Sequence, residues 1–386
     1  MNSPVYLDNA ATTPLDERVF DAMLPYLRGA RGNPSSLHGA GADAREAIEA
    51  ARGHVAAMVG ASPEEIILTS GGTEADNLAL FGLARSAPPD KCHAVVSKVE
   101  HAAVREAAKR LEADGFEITW LGVDEYGMVD AREFSASLRD DTAFAAVMWA
   151  NNEVGTIQPT MELAGICAER SIPFHSDAVQ AAGRVGMDVG ESLVSTLALS
   201  AHKVYGPTGA GALYVREGVE VSPILFGGGQ ENGLRSGTEN VAAIVGFGEA
   251  ARLAREEMAE RAAHEGELRD LIIAGATEVP GVRLNGHPER RLSNNVHLTV
   301  DGVEAESLVL MLDALGYAVG KGSACSSSGH KASPVLEAMG QSEAEAFSAL
   351  RVSTGKENTL EEVEGFLGAF AGCIERLREL SPIQAS

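Results

Sequence analysis

The chain has 386 residues, 45% of them hydrophobic and 22% charged, a balance ordinary for a soluble globular protein long enough to bury a large core in two domains. A formal net charge of −24 at pH 7 argues against sequence-independent nucleic-acid binding, which needs clustered Lys and Arg on phosphates, and favours solubility and basic protein partners. No uninterrupted apolar stretch reaches about 18 residues, and the N-terminus lacks a basic region followed by an apolar one, so a cytoplasmic protein without membrane association is expected.

In chain order, helical patterns at 40–59, 74–85, 101–113 and 160–170 separate apolar runs at 66–69, 94–97, 143–149, 172–175, 193–199 and 211–215. That alternation predicts an α/β fold, a mostly parallel sheet covered by helices, with ligands at the carboxyl ends of its strands. From Val241 to Ala274 the sequence is helical and rich in Ala and Glu, a bridge to a second unit with strands at 294–300 and 350–353 and helices at 304–315 and 359–379. The four cysteines, Cys92, Cys167, Cys325 and Cys373, lie far apart with no Cys-x-x-Cys pair. This argues against a disulfide framework and a structural zinc site, and for a reducing compartment; no intrinsic metal is expected.

Three strand ends carry chemistry. The apolar run ending at Leu199 leads through Ser200, Ala201 and His202 into Lys203, one of only 7 lysines in the chain. Burial disfavours the charged ammonium and makes such an amine nucleophilic and suited to a Schiff base. Asp177 ends the segment Ile172 to Ser176, where a carboxylate can hold a pyridine nitrogen protonated. Thr69-Ser70-Gly71-Gly72-Thr73-Glu74 follows the apolar Ile66 to Leu68 and opens a helix, so its backbone N–H groups and dipole favour an anion. An amine, a ring acid and an anion site are the requirements of pyridoxal 5'-phosphate.

These residues, with Ser70-Gly71-Gly72-Thr73-Glu74-Ala75-Asp76-Asn77, Ala150-Asn151-Asn152-Glu153-Val154-Gly155, Ser200-Ala201-His202-Lys203, Arg235-Ser236-Gly237-Thr238 and Gly322-Ser323-Ala324-Cys325-Ser326, carry a family resemblance. Together they resemble a cysteine desulfurase of the NifS/IscS type, within the class V aminotransferases, from Tyr6-Leu7-Asp8-Asn9-Ala10-Ala11-Thr12-Thr13-Pro14 to Arg351. The resemblance implies a fold-type I pyridoxal phosphate-dependent transferase. Its large cofactor domain is expected at 15–257, and its smaller α+β domain at 1–14 and 258–386, carrying the Cys325 loop and Arg351.

The resemblance also implies a set of roles. Lys203 binds the cofactor covalently and moves the substrate Cα proton, and His101 stacks on the ring and shuttles protons. Asp177 faces the ring nitrogen, Gln180 its hydroxyl, and Gly72, Thr73, Ser200 and His202 the phosphate. Thr238 reaches the phosphate of a neighbouring subunit, so a homodimer with shared sites is expected. Arg351, assisted by Asn152, holds the carboxylate of L-cysteine through a two-pronged hydrogen bond. Cys325, in a small and polar stretch that reads as an exposed loop, takes the sulfur as a persulfide while alanine leaves.

Sulfur then passes to an acceptor or iron-sulfur scaffold protein, for cluster assembly or tRNA thiolation, with Cys325 a candidate transient iron-sulfur ligand shared with that partner. Alternative readings are a selenocysteine lyase or another class V enzyme, and a non-catalytic scaffold that binds sulfur carriers; intact Lys203, Asp177, Cys325 and Arg351 argue against the last. The chain departs from the family after the cysteine, with Gly329-His330-Lys331-Ala332-Ser333-Pro334 in place of a Leu-Glu-Pro-Ser-like run. That leaves the surface facing the acceptor undefined by sequence.

Overall fold

The computed structural model describes residues 4–29, 32–322 and 332–380. Strand β1 (Val5–Tyr6) leads to helices α1 (Glu17–Arg28) and α2 (Gly39–Val59). An alternating run follows: β2 (Ile66–Thr69), α3 (Gly72–Ser86), β3 (His93–Ser97), α4 (Ala102–Ala113), β4 (Glu117–Leu121), α5 (Ala131–Ser137) and β5 (Thr142–Ala146). It continues through α6 (Thr160–Glu169), β6 (Phe174–Asp177), α7 (Val189–Ser192), β7 (Thr196–Ser200) and β8 (Gly211–Val215) to the 37-residue helix α8 (Val241–Thr277). Beyond it lie β9 (Val282–Asn285), β10 (Asn295–Val300), α9 (Ala305–Ala314), β11 (Tyr317–Ala318), α10 (Pro334–Ala338), α11 (Glu343–Phe347), β12 (Ala349–Ser353) and α12 (Leu360–Leu380).

Seven strands form the main sheet in the order β2-β8-β7-β6-β5-β3-β4. Pairing is parallel from β7 through β4, whereas β8 runs antiparallel to both its neighbours. The inner strands are buried on both faces, which is why most of them read as largely apolar runs. The alternation of side chains sorts them between two cores. Leu197 and Leu199 of β7 face the cluster built with α2, α6 and α8, while Ala198 between them faces the cluster built with α3 and α4. Strand β4 is absent from the expected pattern because it lies at the edge, where Glu117 is exposed and Thr119 and Trp120 are half-buried.

A second, three-stranded sheet in the order β12-β10-β9 packs with α9, α12 and the far half of α8 around a third apolar cluster. The N-terminal segment stitches the two sheets together. β1 pairs in parallel with β11, and Asn9 and Ala10 bond to Ser353 at the end of β12. Three residues on, Thr13 donates both its backbone N–H and its hydroxyl to the carbonyl of His202. No described helix is long and apolar enough to cross a membrane.

Candidate active site

One cavity of about 760 Å³ opens at the carboxyl ends of β2, β3, β6 and β7. It gathers ten of the residues singled out in the sequence: Gly72, Thr73, His101, Asn152, Asp177, Gln180, Ser200, His202, Lys203 and Arg351. Thr238 does not line it; it sits on an exposed stretch just before α8. That stretch is nevertheless fastened to the site, because Arg235 donates from Nε to Glu74 at 2.8 Å in the first turn of α3. Cys325 lies outside the described residues.

Lys203 closes a one-turn 3-10 helix directly after β7. Its Nζ donates to the carbonyl oxygens of Ala10 at 2.6 Å and Ala11 at 2.7 Å, and Gln180 Nε2 donates to the same Ala10 oxygen at 2.9 Å. From behind, the buried Arg184 donates to the Lys203 carbonyl at 3.0 Å and faces the equally buried Glu265 of α8 at 3.7 Å. Burial first, then the positive charges of Arg351 and Arg184, bring the Lys203 amine from its ordinary 10.5 down to about 8. A sizeable share of it is therefore neutral and nucleophilic near physiological pH.

That depression has a measurable sign. In the cofactor-free protein the folded state gives up the Lys203 proton near pH 8 while the unfolded chain keeps it to 10.5, so the unfolded state binds more protons between those values. Stability is expected to rise with pH across that window from this group, with the cost of the buried ammonium fully present below it. Denaturant midpoints of the cofactor-free protein and Lys203→Met, compared from pH 7 to 10.5, check this: the variant should lack that increment.

Asp177 ends β6 with its Oδ1 accepting from the backbone N–H of Val179 at 2.9 Å. It is buried, and burial raises its pKa. His101 caps α4, its Nδ1 accepting from Ala103 N–H at 3.2 Å, and its ring lies with Asp177 and Asp76 so that one ligand atom of each falls within 4.8 Å of the others. His202 meets Thr12 Oγ1 at 3.1 Å and is pushed down to about 4, chiefly by burial, so it is neutral at pH 7. The turn from β2 into α3 is built for close approach. A Cβ on Gly72 would lie 2.7 Å from Val179 Cγ2, and one on Gly211 of β8 would lie 2.5 Å from the Gly71 backbone.

Arg351 reaches the cavity from β12 and is only 2% exposed. It donates from Nη1 to the Asn152 carbonyl at 2.8 Å and pairs through Nη2 with Asp8 at 2.9 Å, while its buried Nε has no hydrogen-bond partner among the described residues. Asp8, Arg184 and the carbonyls of Ala10 and Ala11 were not among the sequence candidates; neither were the buried acids Asp76 and Glu100, although both line the cavity. Only the position of Glu100 beside His101 hinted at the latter.

The donor set fits pyridoxal phosphate. It offers a primary amine with a lowered pKa, a buried carboxylate for the ring nitrogen, and a glycine turn at a helix N-terminus beside Thr73, Ser200 and His202 for the phosphate. An α/β sheet bearing this set at its strand ends defines a fold-type I pyridoxal phosphate enzyme. The chain belongs to the class-V aminotransferase family, whose model matches residues 5–366. Within it, the chain is 46% identical over 382 residues to the cysteine desulfurase IscS of Methanosarcina thermophila, covering 99% of this chain and 95% of that one. Among solved structures it is similar to a NifS-like protein, with a TM-score of 0.91 at 36% identity over 97% of this chain and 100% of the other. It is also similar to SspA in complex with cysteine, with a TM-score of 0.81 at 34% identity over 92% of this chain and 100% of the other.

Proposed function

We propose that this chain is a cysteine desulfurase, converting L-cysteine to L-alanine and lodging the sulfur on Cys325. The observation that carries the reading is the convergence of Lys203 after β7, Asp177 at the end of β6 and Arg351 of β12 on one cavity of about 760 Å³. When bound, pyridoxal phosphate supplies an electron sink conjugated to the substrate Cα. The chain's residues do the rest. Lys203 anchors the cofactor and, as a free amine, accepts the Cα proton; Asp177 keeps the ring nitrogen protonated; Gln180 faces the ring hydroxyl and Asn152 the substrate; Gly72, Thr73, Ser200 and His202 hold the phosphate; His101 covers the ring and moves protons.

Arg351 orients the substrate through the substrate carboxylate, aided by its buried Nε, which lacks a partner among the described residues. The Cys325 thiolate then attacks the substrate sulfur. An S–S bond forms, the substrate C–S bond breaks, the electron pair remains on the carbon side, and protonation there completes alanine, leaving a persulfide on the enzyme. Thr238, on its exposed stretch, completes the phosphate site of a second copy in a homodimer. The division into a large unit at 15–257 and a small unit at 1–14 and 258–386 belongs to the same reading, as does delivery of sulfur to an acceptor or iron-sulfur scaffold protein in the cytoplasm.

Cys325→Ser tests the assignment. The variant is expected to bind cofactor and substrate as the parent does, since both rest on Lys203 and Arg351, but to release sulfide under a small-molecule reductant at less than about 1% of the parental rate. Release at the parental rate places the nucleophile elsewhere.

A further inference from the structure

Three carboxyl groups crowd the ring-nitrogen side of the cavity, and the reaction uses one. Asp177 of β6, Asp76 of α3 and Glu100 just before α4 are all at least nine-tenths buried and all line the cavity. Asp76 and Asp177 each place an oxygen within 4.8 Å of the other and of the His101 ring. The groups facing them from the packed elements are His175 of β6, His101 at the start of α4, and Lys203 after β7, the last two acting on Asp177. No arginine is paired with any of the three acids among the described residues. Three ionised carboxylates packed this closely would repel one another, the charge of Asp177 acting on both of the others.

We propose that Asp76 and Glu100 are positioning residues that stay protonated in the working enzyme, so that the cluster's single negative charge rests on Asp177. The hydrogen bonds agree with this. His175 is pushed down to about 3 by burial and is therefore neutral, with Nδ1 2.9 Å from Thr196 Oγ1 and Nε2 3.2 Å from Asp76 Oδ1. A protonated Asp76 donates to His175 Nε2, whose Nδ1–H donates to Thr196, and no charge is required along the chain. Glu100 accepts at Oε1 from Ser97 Oγ at 2.6 Å and from Met148 N–H at 2.7 Å, while its buried Oε2 has no partner among the described residues. That is the oxygen expected to carry a proton, because a bare carboxylate oxygen without a donor is the costliest state there. Burial raises both acids, Glu100 to about 8 and Asp76 well above its ordinary range; the Ser97 and Met148 bonds to Glu100 oppose this, and the charge of Asp177 adds to the rise of each.

The inference rests on the cofactor assignment, and its test separates the two. Infrared spectra of the cofactor-loaded enzyme at pH 7 are expected to include a protonated-carboxyl carbonyl stretch from each of Asp76 and Glu100, both shifting on deuterium exchange. Asp76→Asn and Glu100→Gln each remove one, and the Glu100 band fades as pH passes through about 8 while the Asp76 band persists. Both amides mimic the neutral acid, so cofactor dissociation constants should stay within about threefold of the parent at pH 7. Absence of both bands from the parent enzyme at pH 7 overturns the proposal, and that measurement stands even if a variant fails to fold. A loss of cofactor affinity beyond about tenfold in both folded variants also overturns it, because the charge would then have mattered. A colourless protein that takes up no cofactor would instead remove the underlying assignment, and the visible spectrum of the same sample reports it.

Discussion

Lys203→Ala is expected to lose the visible absorbance of covalently bound cofactor and to lower turnover by at least about 10³-fold. Two functions vanish with one amine. In the proposed mechanism the Nζ that Ala10 and Ala11 hold at 2.6 and 2.7 Å is the covalent anchor and, once released, the base that accepts the Cα proton. Its pKa near 8 suits both tasks, since the amine is neutral often enough to attack and basic enough to take a proton. Cofactor still held by the phosphate and Asp177 contacts should dialyse away from the variant. Borohydride treatment followed by mass spectrometry is the decisive measurement: a reduced bond still linking cofactor to the variant would remove Lys203 from its role.

Arg351→Ala has the second-largest expected effect, a fall in kcat/KM for L-cysteine of about 10²-fold or more, from removing one partner of a buried charged hydrogen-bonded pair. Among the described residues the guanidinium is the one cation lining the cavity from the small sheet, fixed by the Asn152 carbonyl and Asp8. Its removal also strands Asp8 and should lower the melting temperature. Arg351→Lys keeps the charge but loses the planar fork, so it should restore stability more fully than it restores kcat/KM. Steady-state alanine release, set beside thermal unfolding of the same samples, separates the two contributions. Equal kcat/KM in the alanine variant and the parent would show that the substrate carboxylate binds elsewhere.

The separate pieces of this site were readable along the chain because each lies next to a strand end. Burial of β6 and β7 leaves short apolar segments at 172–174 and 197–199, and the polar residues that follow them, through Asp177 and from Ser200 to Lys203, fall by geometry at the mouth of the sheet. The glycine turn before α3 is legible for a similar reason, since close packing against Val179 excludes any side chain at Gly72. Edge strand β4 and the antiparallel β8 were less legible. An edge strand is buried on fewer sides, and strand direction leaves no mark on local composition.

What only the tertiary structure decides are the partners that lie far away in sequence. Lys203 is held by carbonyls 192 and 193 residues distant, and backbone carbonyls carry no residue signature at all. Arg351 meets Asp8 across 343 residues, and Arg184 meets Glu265 only because α8 runs beneath the turn that bears Lys203. Nothing local in the sequence marks Asp76 as buried; stacking of α3 onto the sheet makes it a buried acid beside Asp177. Local periodicity records which face of an element is dry, whereas protonation and charge balance depend on which buried groups the fold then brings within a few ångströms of each other.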